Sequence, residues 1–209
     1  MQKPGEPVKT LEKIAAVQSK SETVGRVAQE PKKGLVLVSP FDGIGGARRA
    51  LEILEIEPAL YISMESDMTC NLIVKNRWPG VRMFERVEDV SDEELRDMLA
   101  TVPSLDTGIV IGGPPCQGFT GLNRDRKGFD DPRSSGVYLF RELVERLRRV
   151  APHIRWSAMM ENVASMSGTD REGITEELEQ AYTTKPYWVD AELFGHIRRP
   201  RLYWPSWTP

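Results

Sequence analysis

After residue 33, short apolar runs alternate with stretches whose apolar positions recur every three to four residues. The first kind predicts buried strands and the second amphipathic helices. Strands are expected over 35–39, 60–64, 81–84, 109–111 and 158–160, and helices over 47–54, 67–76, 91–99, 137–150 and 172–181. Two further strands, 187–194 and 201–204, close the series. Ser91 followed by Glu94 carries a capping-box signature. Leu139, Leu143 and Leu147 share one helix face. Such alternation predicts an α/β fold with a doubly wound, mostly parallel sheet.

The alternation is missing from residues 1–33, which are rich in Lys, Glu and Pro, with weak helical spacing only over 11–18. A flexible tail or linker followed by one core domain over 34–209 is expected. At 209 residues, 40% hydrophobic and 28% charged, the chain suits a single globular domain. No apolar run approaches the about 18 residues of a membrane span, and the N-terminus has no apolar signal core. Two cysteines, Cys70 and Cys116, with His153 and His196, make neither a disulfide framework nor a metal centre. They fit a reducing, intracellular setting. A net charge of −3 argues against a broadly basic nucleic-acid surface. Arg124, Arg126, Lys127 and Arg133 nevertheless form a local basic loop able to reach phosphates.

In doubly wound sheets, ligands sit beyond the carboxyl ends of the strands. The turn Phe41-Asp42-Gly43-Ile44-Gly45-Gly46, Glu65, Cys116 and Glu161 each follow an expected strand, so all should gather at one sheet edge. Gly43, Gly45 and Gly46 either let backbone approach a ligand or make a simple tight turn. Their Gly-x-Gly-Gly spacing does not match the nicotinamide fingerprint. Glu65 suits the hydroxyls of a ribose; beside Asp67 it is equally a charge at a helix N-terminus. Asp89 can accept from an adenine amino group or belong to the solvated acidic run over 85–97.

Gly112-Gly113-Pro114-Pro115-Cys116 sets one cysteine in a rigid turn beside small residues. Apolar packing does not call for such a turn, so Cys116 is a candidate nucleophile, its thiolate favoured by nearby arginines or a helix N-terminus. Glu161, beside Met159 and Met160, can hold a raised pKa and donate a proton, or sit as a helix N-terminal acid. Arg199 and Arg201 share a strand face by period two. They can clamp a polar base edge or phosphates, or decorate a solvated edge strand.

Phe41-Asp-Gly-Ile-Gly-Gly, Glu65, Pro114-Pro-Cys-Gln-Gly-Phe-Thr120, Glu161-Asn-Val and Arg199-Pro-Arg201 stand in an order and spacing that resembles the DNA (cytosine-5) methyltransferases. The resemblance covers roughly 34–204. Pro-Cys-Gln together with Glu-Asn-Val is its most specific part. Ala-Ser-Met after Glu-Asn-Val, and the aromatic pair after Arg-x-Arg, are similar to the de novo eukaryotic branch. The Pro-Pro-Cys-Gln-Gly-Phe form is similar to the maintenance and bacterial branches, so the subfamily stays open.

The resemblance implies a Rossmann-like methyltransferase fold that binds S-adenosylmethionine. It places Phe41, Gly43, Gly45, Gly46, Glu65, Asp89 and Pro115 around the cofactor. It gives Cys116 attack on cytosine C6, Glu161 the N3 position, and Arg201 with Arg199 the O2 side. The target base is flipped out of double-stranded DNA. Gln117, Thr120, Arg124, Arg126 and Lys127 are implied as DNA contacts, and no metal is implied. The setting would be a nucleus in a eukaryote, or the cytoplasm of a bacterium or the host of a virus. Ile197 stands where the family usually has Gln. The target-recognition domain and last helix of the family are not found before Pro209. A truncated core, with recognition supplied by a second chain, is one expectation; an inactive, regulatory methyltransferase-like protein is another. A transfer-RNA methyltransferase of the same family usually carries Cys-Phe-Thr, which this chain lacks.

Overall fold

A computed structural model describes residues 34–115 and 135–209. The elements run β1 (Gly34–Pro40), α1 (Gly46–Ile53), β2 (Leu60–Met64), α2 (Met68–Arg77), β3 (Arg82–Phe84), α3 (Asp92–Ala100) and β4 (Leu105–Gly112). They continue with α4 (Ser135–Val150), β5 (Arg155–Val163), α5 (Gly168–Glu179), β6 (Tyr187–Asp190) and β7 (Pro200–Pro205). The sheet order is β3-β2-β1-β4-β5-β7-β6. The first five strands are parallel, and β7 runs antiparallel to both β5 and β6. Chain order reverses between β1 and β4, which puts the topological switch point of the sheet there.

The central strands are apolar on both faces because helices cover both sides. Val36, Val38, Ile62, Met64 and Val110 are buried on one side against α4, while Leu37, Tyr61 and Val74 form the cluster on the other. α4 buries Val137, Phe140, Leu143, Val144 and Leu147. Leu139, expected on the buried stripe, packs at its margin and lines a cavity instead. Each large side chain buried this way contributes roughly 1.5–3 kcal/mol.

The expected elements are present with shifted ends. Asp67 caps α2, its carboxylate accepting from the N–H groups of Thr69 and Cys70. Ser91 and Glu94 form the expected reciprocal capping box. α5 begins earlier than expected because Ser167 caps it, accepting from the Asp170 N–H. The strand expected over 187–194 stops at Asp190, whose carboxylate accepts from the N–H groups of Glu192 and Arg199 and turns the chain back. β5 is longer than expected: pairing with β7 keeps Glu161 and Asn162 inside the strand rather than after it. The segments 1–33 and 116–134 lie outside the described residues, and with them the tail and the basic loop.

Candidate active site

A cavity of about 740 Å³ opens where the parallel strands end. Phe41 and Gly43 reach it from β1, Met64 and Glu65 from β2, and Gly113, Pro114 and Pro115 from β4. Glu161 and Asn162 from β5, with Arg201 on β7 and Arg199 just before it rather than on one strand face with it as expected, form the opposite wall. The switch point between β1 and β4 leaves this space because neighbouring crossovers depart to opposite faces.

The turn after β1 is built around two carboxylates. Glu65 Oε2 accepts from the Gly43 N–H at 2.8 Å, and Oε1 accepts from the Asp67 N–H at 2.8 Å. A carboxylate has about four lone-pair sites, so both oxygens keep acceptor capacity towards the cavity. Phe41 has φ 54°, a left-handed backbone that is uncommon for a non-glycine residue and concentrates at functional turns. Gly43, at φ 56°, has no described residue within 4 Å of where a Cβ would stand and borders the cavity.

The other expected cofactor glycines do different work. A Cβ on Gly45 would lie 2.4 Å from the Trp78 ring, and φ is 82° there, so glycine is required by helix packing. Gly46 opens α1 and does not line the cavity. Asp89 is exposed on a short 3-10 turn and does not line the cavity either; its neighbour Glu88 does. One residue of offset on that turn changes which carboxylate faces inward.

Asp42 lies beneath the turn, buried. It accepts from the Tyr61 hydroxyl and, at 2.6 Å, from the Ser63 hydroxyl, while its Oδ1 has no partner among the described residues. Burial pushes its carboxyl above the ordinary aspartate value of 3.8, against the pull of the Ser39, Ser63 and Tyr61 hydroxyls. A carboxyl raised by folding stabilises most below its unfolded pKa, and that contribution is lost as pH rises through the folded value. Asp42→Asn keeps an acceptor for the Tyr61 and Ser63 hydroxyls and cannot ionise. In urea unfolding from about pH 4 to about pH 8, its stability should fall less with rising pH than that of the parent chain. Parallel pH profiles would contradict this picture of Asp42.

At the far wall, Glu161 pairs across strands with Tyr203, and Val163 pairs with Arg201. Glu161 and Arg201 are therefore diagonal neighbours on one face. Arg201 Nε donates to Glu161 Oε1 at 2.7 Å, and Nη1 donates to the Pro200 carbonyl at 2.8 Å. Burial raises the Glu161 carboxyl above its usual range, while Arg201 and Arg199 pull it back. The result is a half-buried carboxyl, held in position beside a cavity, whose protonated form persists to higher pH than that of an exposed glutamate.

Asn162 links this wall to the turn after β4, a role that sequence reasoning passed over. It is buried, and its Nδ2 donates to the Pro114 carbonyl at 3.3 Å. Its Oδ1 accepts from the Val163 N–H at 2.8 Å. A polar residue between Met160 and Val163 in a buried strand was the available signal. The first turn of α4 also meets the Pro-Pro turn, since a Cβ on Gly136 would lie 2.8 Å from Pro114 Cβ. Cys116, Gln117, Thr120, Arg124, Arg126 and Lys127 lie outside the described residues; the described chain leaves the cavity edge at Pro115.

This sheet and the cavity at its switch point define an α/β Rossmann-like domain of the methyltransferase type. The Entamoeba histolytica methyltransferase EhMeth is similar at a TM-score of 0.59 and 20% identity, over 86% of this chain and 54% of that one. A DNMT2 variant from Spodoptera frugiperda is similar at a TM-score of 0.57 and 19% identity, over 82% and 49%. The family model for C-5 cytosine-specific DNA methylases matches residues 36–204, and the chain belongs to that family.

Among curated relatives, the type II methyltransferase M1.HphI of Haemophilus parahaemolyticus is 30% identical over 77% of this chain and 42% of its own length. M.AquIA of Picosynechococcus is 31% identical over 72% and 60%. The DNA (cytosine-5)-methyltransferase DRM1 of Arabidopsis thaliana is 30% identical over 58% and 20%. The chain thus spans between a fifth and three fifths of the length of these relatives. No helix among the described residues is long and apolar enough to cross a membrane.

Proposed function

We propose that this chain carries the catalytic core of a DNA (cytosine-5) methyltransferase, acting on a cytosine flipped out of duplex DNA. The observation that carries this reading is the Glu161–Arg201 pair facing, across one cavity, the Glu65–Gly43 turn. Membership of the family supports it.

The residues present fit S-adenosylmethionine. Phe41, Met64, Val87 and Leu139 offer apolar walls. Among the described residues, nothing fills the space where a side chain on Gly43 would stand. Glu65 retains acceptors for ribose hydroxyls, and Glu88 offers a second carboxylate at the same end, where sequence reasoning had assigned Asp89. When bound, S-adenosylmethionine supplies the electrophilic methyl group that cytosine C5 takes.

The chain's own residues prepare C5 for that transfer. Cys116, as thiolate, adds to C6, and the displaced electron pair of the C5–C6 bond makes C5 nucleophilic. Glu161 donates its proton, or a hydrogen bond, to N3 and takes up the charge developing on the ring. Arg201 holds Glu161 and, with Arg199, faces the O2 edge. Loss of the C5 proton and departure of Cys116 restore the aromatic ring. Gln117, Thr120, Arg124, Arg126 and Lys127 would contact DNA, the basic ones through phosphates. A second chain would extend the recognition surface.

Duplex DNA containing 5-fluorocytosine tests the scheme, because fluorine blocks the loss at C5 and the adduct persists. With S-adenosylmethionine present, a covalent protein–DNA complex that resists denaturation is expected, and Cys116→Ser should give none. Absence of the complex from the parent chain, with cofactor binding verified by calorimetry, would instead support a non-catalytic methyltransferase-like protein.

A further inference from the structure

Two adjacent glycines end β4, and the structure separates their roles. A Cβ on Gly112 would lie 2.4 Å from the Pro40 carbonyl oxygen and 3.2 Å from the Phe140 ring. Backbone cannot move aside there, so Gly112 serves the close approach of β1 and β4. A Cβ on Gly113 would lie 2.8 Å from Glu161 Oε2, with its next neighbours, also in Glu161, at 3.9 and 4.0 Å. Its φ is not in the left-handed region, so alanine suits the backbone. Among the described residues, the sole obstacle within 3.5 Å is thus the tip of a flexible side chain.

That tip belongs to the candidate proton donor. Arg201 Nε holds Glu161 Oε1 at 2.7 Å from one side, and the bare Cα of Gly113 bounds Oε2 on the other. The β4–β5 register, Gly112 opposite Met160, sets Gly113 beside Glu161. We infer that Gly113 is a positioning residue for Glu161: its missing side chain lets the carboxyl stand against the turn that leads to Cys116. The inference rests on the proposed methyltransferase reading.

An alanine at 113 would have to displace the carboxyl by roughly half an ångström to restore ordinary carbon–oxygen contact. Catalytic groups need placement to about that tolerance, and a shift of about 1 Å can cost on the order of 100-fold. Gly113→Ala should therefore lower the single-turnover rate by about tenfold. Binding of S-adenosylhomocysteine should stay within about twofold, because the ribose end of the cavity is untouched.

The test is a double-mutant cycle on the full chain with Gly113→Ala, Glu161→Ala and both together. If Gly113 acts through Glu161, adding Gly113→Ala to Glu161→Ala brings no further loss. The same tenfold loss in that background, or a full rate for Gly113→Ala alone, would overturn the inference. A second arm needs no turnover and is run in every case: titration of the Glu161 carboxyl by carbon-13 NMR in the parent and in Gly113→Ala. A changed titration midpoint supports the inference and an unchanged one overturns it. If the parent chain methylates no DNA, the functional reading fails, and the NMR arm alone decides whether Gly113 positions Glu161.

Discussion

Glu161→Gln is expected to lower the rate of methyl transfer by on the order of 10²- to 10⁴-fold while leaving the fold intact. The amide has nearly the same shape, and its oxygen can still accept from Arg201 Nε, which now holds Glu161 Oε1 at 2.7 Å. What is lost is the proton. Burial keeps the carboxyl above the ordinary glutamate value of 4.5, so its protonated form persists to higher pH than that of an exposed glutamate. The single-turnover rate should fall as pH climbs through the raised Glu161 value. In the glutamine variant the falling limb disappears, since nothing at 161 titrates. A variant that keeps half the parent rate, or keeps the falling limb, would remove Glu161 from the chemistry.

Trp204→Ala should cost about 3–5 kcal/mol of stability, the range for emptying a large aromatic site in a core. Trp204 is fully buried on β7, and its indole N–H donates to Thr175 Oγ1 at 2.9 Å. The Tyr182 hydroxyl also donates to its carbonyl at 3.3 Å. Domains are typically stable by about 5–15 kcal/mol, so the loss is a large fraction of the whole. In a chain of this length the melting temperature should drop by on the order of 10 °C. Trp204→Phe fills most of the space and should lose mainly the hydrogen bond, about 1 kcal/mol. The effect reaches the site because Trp204 pairs with Met160, one residue from Glu161, on the strand that delivers Arg201. A loss under about 1 kcal/mol in Trp204→Ala would mean that β7 is not anchored as described.

The central part of the fold was legible because buried parallel strands and helix faces leave strong local patterns. β1, β2 and α4 begin and end within two residues of the expected positions. The ends of β5, β6 and α5 were less legible, since each depends on a partner distant in sequence or on one side-chain cap. Glu161 shows the consequence: by local pattern it follows a strand, but antiparallel pairing with β7 draws it inside one.

By itself, the order of residues determined the alternating α/β architecture and the convergence of the Phe41–Gly46 turn, Glu65 and Glu161 at one sheet edge. Period and turn chemistry are local properties, and a parallel sheet gathers the carboxyl ends of its strands along a single edge. Only the tertiary structure decided what each residue there can do. It turned Glu88 rather than Asp89 into the cavity, gave Gly45 to the Trp78 ring, and set Gly43 at the cavity wall. It also set Glu161 between Arg201 and the bare Cα of Gly113. These outcomes depend on distances between segments far apart in the chain, and no local pattern encodes such a distance.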